Sequence, residues 1–398
     1  MSTSVLLLLA VLLVSTAAPV LAQPPANEDC QACHGDPSAV RADGAFVGVD
    51  VVAFGGSAHG GLACVDCHLD LASQAEWPHP ERLAAASCAG CHDDAVAQYG
   101  SGIHAAARRG QPDRAAATCA DCHGAHDIRP SADAASRTHH ATLPATCGRC
   151  HGDPDLIRRE GIEAGNVASA FEDSIHARAL VRSGLSVAPN CGDCHGSHDI
   201  RRASASESRV HRLNVPSTCG ACHEGIERQY RAGVHGGRLR AGDAGAPTCA
   251  DCHSAHAITR IDAAGFQLDV VAECGTCHRD EIQTYRDTFH GQVTALGFER
   301  IAKCADCHAA HQILPKSHPG SMVSEANLVA TCSRCHQRAN ASFVQYDPHP
   351  NPRDYDRNPV LWWVNRFYTV LIAGCFSFFG LHSLLWFWRS WREGGTPE

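Results

Sequence analysis

One phrase, Cys-x-x-Cys-His, constrains this chain more than any other feature, because it occurs eleven times. The cysteine pairs are Cys30/Cys33, Cys64/Cys67, Cys88/Cys91, Cys119/Cys122, Cys147/Cys150 and Cys191/Cys194. They continue as Cys219/Cys222, Cys249/Cys252, Cys274/Cys277, Cys304/Cys307 and Cys332/Cys335. The histidines that follow are His34, His68, His92, His123, His151, His195, His223, His253, His278, His308 and His336. The motifs consume 22 of the 23 cysteines. At this composition random order would give roughly a tenth of one copy, so accident is out.

Two thiols three positions apart can add to the two vinyl groups along one side of a haem, and the next residue then swings its imidazole beneath the iron. The two residues between the cysteines set only the reach, which suits the variety QA, VD, AG, AD and GR. Zinc sites use paired modules and need no histidine after every second cysteine. Thioredoxin-like motifs come once per domain, and disulfide frameworks show no fixed tripeptide. Eleven covalent haems c are expected.

A sixth ligand for each iron must come from elsewhere. Only Met322 survives removal of the N-terminal segment, which leaves histidine and predicts low-potential bis-His haems. Fifteen histidines lie outside the motifs and outside the C-terminal apolar run, and they fall into position classes. One class follows the odd-numbered motifs: His59, His104, His176, His235, His290 and His349. The first five of these have an aromatic residue five positions earlier, namely Phe54, Tyr99, Phe171, Tyr230 and Tyr285, rings suited to packing on haem. In the second class His126, His198, His256 and His311 stand three residues after a motif histidine. That spacing is too short for both imidazoles to reach one iron, so each should serve a neighbouring haem. The second motif lacks this residue, and His79 is its nearest substitute. His79 also aligns by position with His139 and His211, so its assignment stays open. His139, His140, His211 and His318 are left over.

The ends of the chain locate it. Residues 1–22 read as a secretory signal peptide, with an apolar core and a small-residue exit before Gln23. From Phe367 to Trp388, 22 residues carry one ionisable side chain, His382, and that length spans a bilayer as a helix. Trp362 and Trp363 mark one rim, and Trp386, Trp388 and Trp391 the other. Arg389 and Arg392 favour a cytoplasmic C-terminus. The expected layout is a periplasmic haem domain over 23–358, an inner-membrane anchor over 359–392 and a tail over 393–398. Thirteen aromatic residues serve the whole of 23–358, too few for an ordinary core, so cofactor must fill the interior. A net charge of −9 without a basic stripe gives nucleic-acid binding no support.

Motif spacing suggests one single haem followed by five two-haem repeats, starting at 64/88, 119/147, 191/219, 249/274 and 304/332. The predicted fold class is mostly irregular with short α-helices, arrayed around bis-His haems, plus one C-terminal transmembrane helix. Short helices are expected after the odd motifs, as in 93–104 and 224–235, and GAFVGVDVVAF (44–54) alternates like a brief strand.

These residues resemble the multihaem c-type cytochromes with doubled C-x-x-C-H units, related to the tetrahaem class III cytochromes, over about residues 27–350. The resemblance implies an irregular α fold around stacked bis-His haems that works in respiratory electron transfer. The C-terminal run is similar to the opening helix of membrane b-type cytochromes, which implies a membrane cytochrome b or quinol-oxidising partner and a haem b shared near His382. The expected function is an electron conduit between that membrane donor and a periplasmic or outer redox protein, with no catalytic residue. The competing expectation is a multihaem reductase of a nitrogen or sulfur oxyanion, which needs one open-coordinate iron.

Overall fold

A computed structural model describes residues 24–74, 77–81, 83–109, 115–162, 164–263 and 265–394. The expected signal peptide lies outside the described residues, as does most of the expected tail. The chain divides into two compact units, Met1–Thr146 and Cys147–Glu398. Each consists of short helices joined by irregular chain, and no strand occurs among the described residues.

The expected strand at 44–54 is not formed. Gly44, at a φ of 80°, closes a tight turn in which Arg41 N donates to the Ala45 carbonyl at 2.9 Å. Val40 and Phe46 form a single antiparallel bridge, and no further segment extends it. Asp50 then accepts from Val52 N at 3.0 Å and Ala53 N at 2.9 Å, which starts the helix Val51–Gly55 instead. A local cap outcompetes alternation that has no partner strand.

Helices do follow the odd motifs, but as broken pairs. Asp93–Ser101 precedes Ile103–Arg108, Glu224–Ala232 precedes Val234–Arg240, and Arg279–Arg286 precedes Phe289–Ala295. The residues at the breaks, Gly102, Gly233 and Thr288, are extended, with ψ of 168°, 171° and 164°. Each break re-aims the chain so that His104, His235 or His290 is the second residue of the second helix. After two of them comes a glycine in close quarters. A Cβ on Gly236 would sit 2.3 Å from the Tyr230 carbonyl oxygen, and one on Gly291 would sit 2.0 Å from that of Tyr285.

Large buried apolar side chains are scarce. Tyr230, Leu239 and Ala246 make one small buried cluster, and Leu71, Leu180, Val271 and Tyr285 are buried singly. So little apolar burial cannot offset the conformational entropy of ordering several hundred residues. What the helices do accomplish is to set histidines at defined places.

The helix Pro359–Arg392 differs in kind. Its 34 residues run about 51 Å at 1.5 Å per residue, and none is buried. Arg366 lies over the Trp362 ring at 5.1 Å and Arg392 over Trp388 at 5.0 Å, so each end of the apolar run carries a cation on an indole face. It is long and apolar enough to cross a membrane.

Candidate metal centres: facing histidine pairs

Nine motif histidines each have a second imidazole across from them. In the first unit His34 faces His79 at 5.8 Å between ring centres, His68 faces His126 at 6.4 Å, and His92 faces His59 at 6.0 Å. In the second unit His195 faces His256 at 6.0 Å, His223 faces His176 at 6.2 Å, and His253 faces His311 at 6.1 Å. His278 faces His235 at 6.2 Å, His308 faces His349 at 6.3 Å, and His336 faces His290 at 5.9 Å. The remaining motif histidines, His123 and His151, end the helices Cys119–His123 and Leu143–His151. His104 is the second residue of Ile103–Arg108, and His198 lies three residues beyond its motif.

The pairing follows a rule that spacing alone does not reveal. Histidines three residues after a motif reach back two motifs: His126 of the fourth faces His68 of the second, His256 of the eighth faces His195 of the sixth, and His311 of the tenth faces His253 of the eighth. Histidines after odd motifs reach forward two: His59 faces the third motif, His176 the seventh, His235 the ninth and His290 the eleventh. The two classes are tied to each other through the backbone. Ala58 N donates to the Ile128 carbonyl, Ile175 N to that of Ile258, and Val234 N to that of Ile313, each at 2.8 Å. Each bond joins the residue before one distal histidine to the residue two beyond another.

His349 and His79 complete the set at the ends of the array. His349 follows the eleventh motif and departs from the forward rule, facing the tenth. His79 faces the first, against His34 and 6° from parallel, rather than the second motif beside it. His139, His211 and His318, by contrast, use Nδ1 to accept a backbone N–H two residues on, from Ala141, Leu213 and Gly320. They close local turns.

Those distances fit a metal between the rings. Two metal–nitrogen bonds of about 2 Å, with about 1.1 Å from each nitrogen to its ring centre, place the centres about 6.2 Å apart. Among the described residues no group of three or more His, Cys, Asp or Glu could hold a metal ion unaided. Zinc sites built from side chains need about four such ligands. Two facing imidazoles with the equatorial plane left open suit an iron whose other four ligands come from a planar macrocycle, and two cysteines stand beside every such pair to tether it.

Imidazole ligates metal when neutral, and the surroundings favour that form. Burial is the largest cause lowering His126, His176, His195, His235, His253, His256, His290, His308 and His311 from their ordinary value. Some ligands are also oriented from behind. His34 Nδ1 donates to the Val47 carbonyl at 2.7 Å and His79 Nδ1 to that of Pro80 at 2.8 Å, which leaves Nε2 for the metal. His349 Nδ1 is hydrogen-bonded to Thr284 Oγ1 at 3.1 Å. The buried Nδ1 of His68 has no such partner.

The residues between the cysteines do more than set reach. Every even-numbered motif has Asp before its second cysteine: Asp66, Asp121, Asp193, Asp251 and Asp306. Each carboxylate accepts from the backbone N of the residue preceding the motif, at 2.8 Å from Ala63, 2.7 Å from Thr118, 2.8 Å from Asn190, 2.5 Å from Thr248 and 2.8 Å from Lys303. This back-bond starts the helical turn that sets both thiols and the histidine, and the recurring Asp was its signal in the sequence.

The motifs themselves adjoin. The first thiols of neighbouring motifs stand close enough to act on each other's ionisation, as Cys30–Cys64, Cys88–Cys119, Cys147–Cys191, Cys219–Cys249 and Cys274–Cys304. Second thiols approach in the other phase. Cys194 interacts with Cys219 and Cys222, Cys252 with Cys274 and Cys277, and Cys307 with Cys332 and Cys335. In the first unit Cys67 acts on Cys88 in the same way. Burial before such contacts raises the half-buried Cys64 thiol to about 11. Within each unit the motifs therefore form a run with contacts on both sides.

Among the second cysteines, Cys67, Cys122, Cys150, Cys194 and Cys307 are half-buried, whereas Cys33, Cys91, Cys222, Cys252, Cys277 and Cys335 are exposed on the polypeptide. The motif cysteines stand as free thiols, the form that thioether attachment requires. Cys375, the cysteine outside the motifs, is exposed on the helix Pro359–Arg392.

Residues 52–124, which hold the second, third and fourth motifs, match the family described as cytochrome c7 and related cytochrome c. The chain is a multihaem c-type cytochrome. No curated protein matches it. This cytochrome carries haem c and transfers electrons. The matched span contains one complete facing pair, His92 with His59, and also His68, whose partner His126 lies two residues beyond the span.

Proposed function

We propose that the cytochrome binds eleven haems c, one per motif, and works as an electron conduit between a membrane donor and a periplasmic or outer redox partner. Haem supplies one-electron exchange at its iron. The polypeptide attaches it through the 22 motif cysteines, clamps it between two neutral imidazoles and sets its surroundings. The observation that carries this reading is that each of nine motif histidines has its own facing histidine, so neither axial position at those sites is left for a substrate. His123 and His151 are motif histidines like those nine, and His104 and His198 belong to the two distal classes. Continuity is supported by neighbours: His253 lies near enough to His223 for their charges to interact, as do His195 with His151 and His308 with His278.

The helix Pro359–Arg392 anchors the conduit in the inner membrane, with residues 24–358 on the periplasmic side and Arg389 and Arg392 on the cytoplasmic side. His382, exposed on that helix, offers a contact to a membrane cytochrome b subunit, through a shared haem b or a quinol site. Mass spectrometry of the purified protein should find eleven added haems, and EPR should find low-spin bis-imidazole signals with no high-spin centre. A high-spin haem that binds nitrite or hydroxylamine would replace this conclusion with a reductase.

A further inference from the structure

Nine residues separate His349 from the helix that begins at Pro359, and they do not form a slack linker. Pro348, Pro350 and Pro352 fix φ at alternate positions and no glycine is present. The Asp347 carboxylate accepts from His349 N at 2.9 Å and from Arg357 at 3.2 Å. Asn351 N donates to Asn358 Oδ1 at 2.9 Å, which closes the segment into a loop. Asn351 is two residues from His349, about 7 Å at full stretch, while Asn358 directly precedes Pro359. The Tyr355 ring meets Trp362 edge-on at 5.5 Å, and Trp362 in turn carries Arg366 on its face. Thr284 Oγ1 is hydrogen-bonded to the His349 ring. A continuous line of contacts thus runs from a distal histidine to the rim of the membrane helix.

We infer that residues 347–358 are a stiff strap that seats the His308–His349 site at the bilayer surface, making it the port where electrons pass between the membrane and the array. The inference rests on the proposed membrane-anchored conduit. The donor class is a membrane quinol, taken directly or through a membrane subunit. Oxidised to the quinone, it would release two protons to water and two electrons singly to the haem that His308 and His349 would hold, the first electron passing on to a neighbouring haem before the second arrives. The strap fixes where that exchange happens. A flexible tether would let any exposed haem approach the membrane, and the proline-rich, hydrogen-bonded loop opposes that freedom.

Two measurements on the full-length holoprotein test this. In nanodiscs containing a phospholipid with a photoreactive headgroup, peptide mass spectrometry should find labels on residues 350–358 as well as on 359–366. Labels confined to 359–392 would overturn the strap's seat at the surface. In membrane vesicles of the expression host, array reduction is followed with NADH feeding the quinol pool and, separately, with water-soluble dithionite. The paired change Asp347→Asn with Arg357→Gln should slow the quinol-driven reaction at least threefold and leave the dithionite rate and the count of low-spin haems unchanged. Tyr355→Leu, which removes the ring contact and keeps both charges, should act in the same direction. Equal rates with both donors, or equal slowing of both, would refute the port. A wild-type protein that accepts no electrons from the quinol pool would remove the conduit reading itself, and the port with it.

Discussion

The Tyr230 hydroxyl donates a 2.7 Å hydrogen bond to the carbonyl oxygen of Pro247, two residues before Cys249. The same bond joins Tyr99 to Ala117 ahead of Cys119 and Tyr285 to Ala302 ahead of Cys304, both at 2.8 Å. Each tyrosine stands five residues before a distal histidine, so one side chain sets the spacing between that ligand and the next attachment site.

This clamp has a pH signature. Burial pushes the Tyr230 hydroxyl up to about 12. The folded protein then holds that proton at a pH where the unfolded chain releases it, so the clamp's contribution is complete below about pH 10. It is lost as pH rises through about 12. Tyr230→Phe should lower stability by about 1–3 kcal/mol at neutral pH, the cost of a carbonyl left without its donor. The difference from wild type should shrink steadily above pH 10, as read from amide exchange across residues 247–253. A difference that grows with pH would contradict the clamp.

Removing one distal imidazole should open one iron and no other. In His256→Ala the site facing His195 loses its sixth ligand, so the reduced protein should bind one carbon monoxide per chain, where the wild type binds none. Added imidazole should restore the low-spin spectrum. Wild-type behaviour in the variant would show that the parallel His195–His256 pair, 3° from coplanar orientation, is not a ligand pair.

Haem potentials should differ between the first two motifs. Both histidines of the first facing pair, His34 and His79, donate Nδ1–H to backbone carbonyls, which would raise their basicity as ligands and favour ferric iron. The buried Nδ1 of His68 has no partner. The first haem should therefore reduce at the lower potential. Potentiometric EPR, with waves assigned by His79→Ala and His126→Ala in turn, would show the reverse order if this is wrong.

The aspartate back-bond is testable one motif at a time. Asp193→Ala removes the acceptor for Asn190 N and should cost about 1 kcal/mol, as loss of a helix cap does. Asp193→Asn keeps an acceptor oxygen and should cost less. The midpoint for loss of haem ligation in urea gives both values, and equal midpoints for Ala and wild type would assign the carboxylate no such role.

Haem itself should be a condition of folding. The Tyr230, Leu239 and Ala246 cluster is too small to hold several hundred residues. Expressed without covalent haem attachment, residues 24–358 should lack the far-ultraviolet helix signal. A cooperative thermal transition in that haem-free chain would argue for a conventional core.

Much of the site could be read without coordinates, because its chemistry is local. Two thiols and an imidazole within five residues need only one helical turn to act together, so Cys249, Cys252 and His253 declare their role wherever the chain goes. Their burial was not legible in the same way: Cys150 is half-buried and Cys335 exposed, though both close the same motif. The broken helices were half legible: the polar and apolar rhythm of 224–235 predicts a helix, but not the extended Gly233 that turns His235 aside. The strand expected at 44–54 failed because alternation says nothing about whether a partner exists. The aspartates of the even motifs were in plain sight, and only their carboxylates bonded to the preceding backbone explain them.

By itself the sequence determined that this is haem c chemistry, which histidine follows each cysteine pair and which classes of histidine are available opposite them, since these follow from residue type and short spacing. Which histidine stands across from which was decided by the tertiary structure. His126 reaches back to His68 and His59 reaches forward to His92 because the backbone bond from Ala58 to Ile128 sets two distant segments side by side. Such a contact joins residues seventy apart in the chain, and no local pattern encodes it.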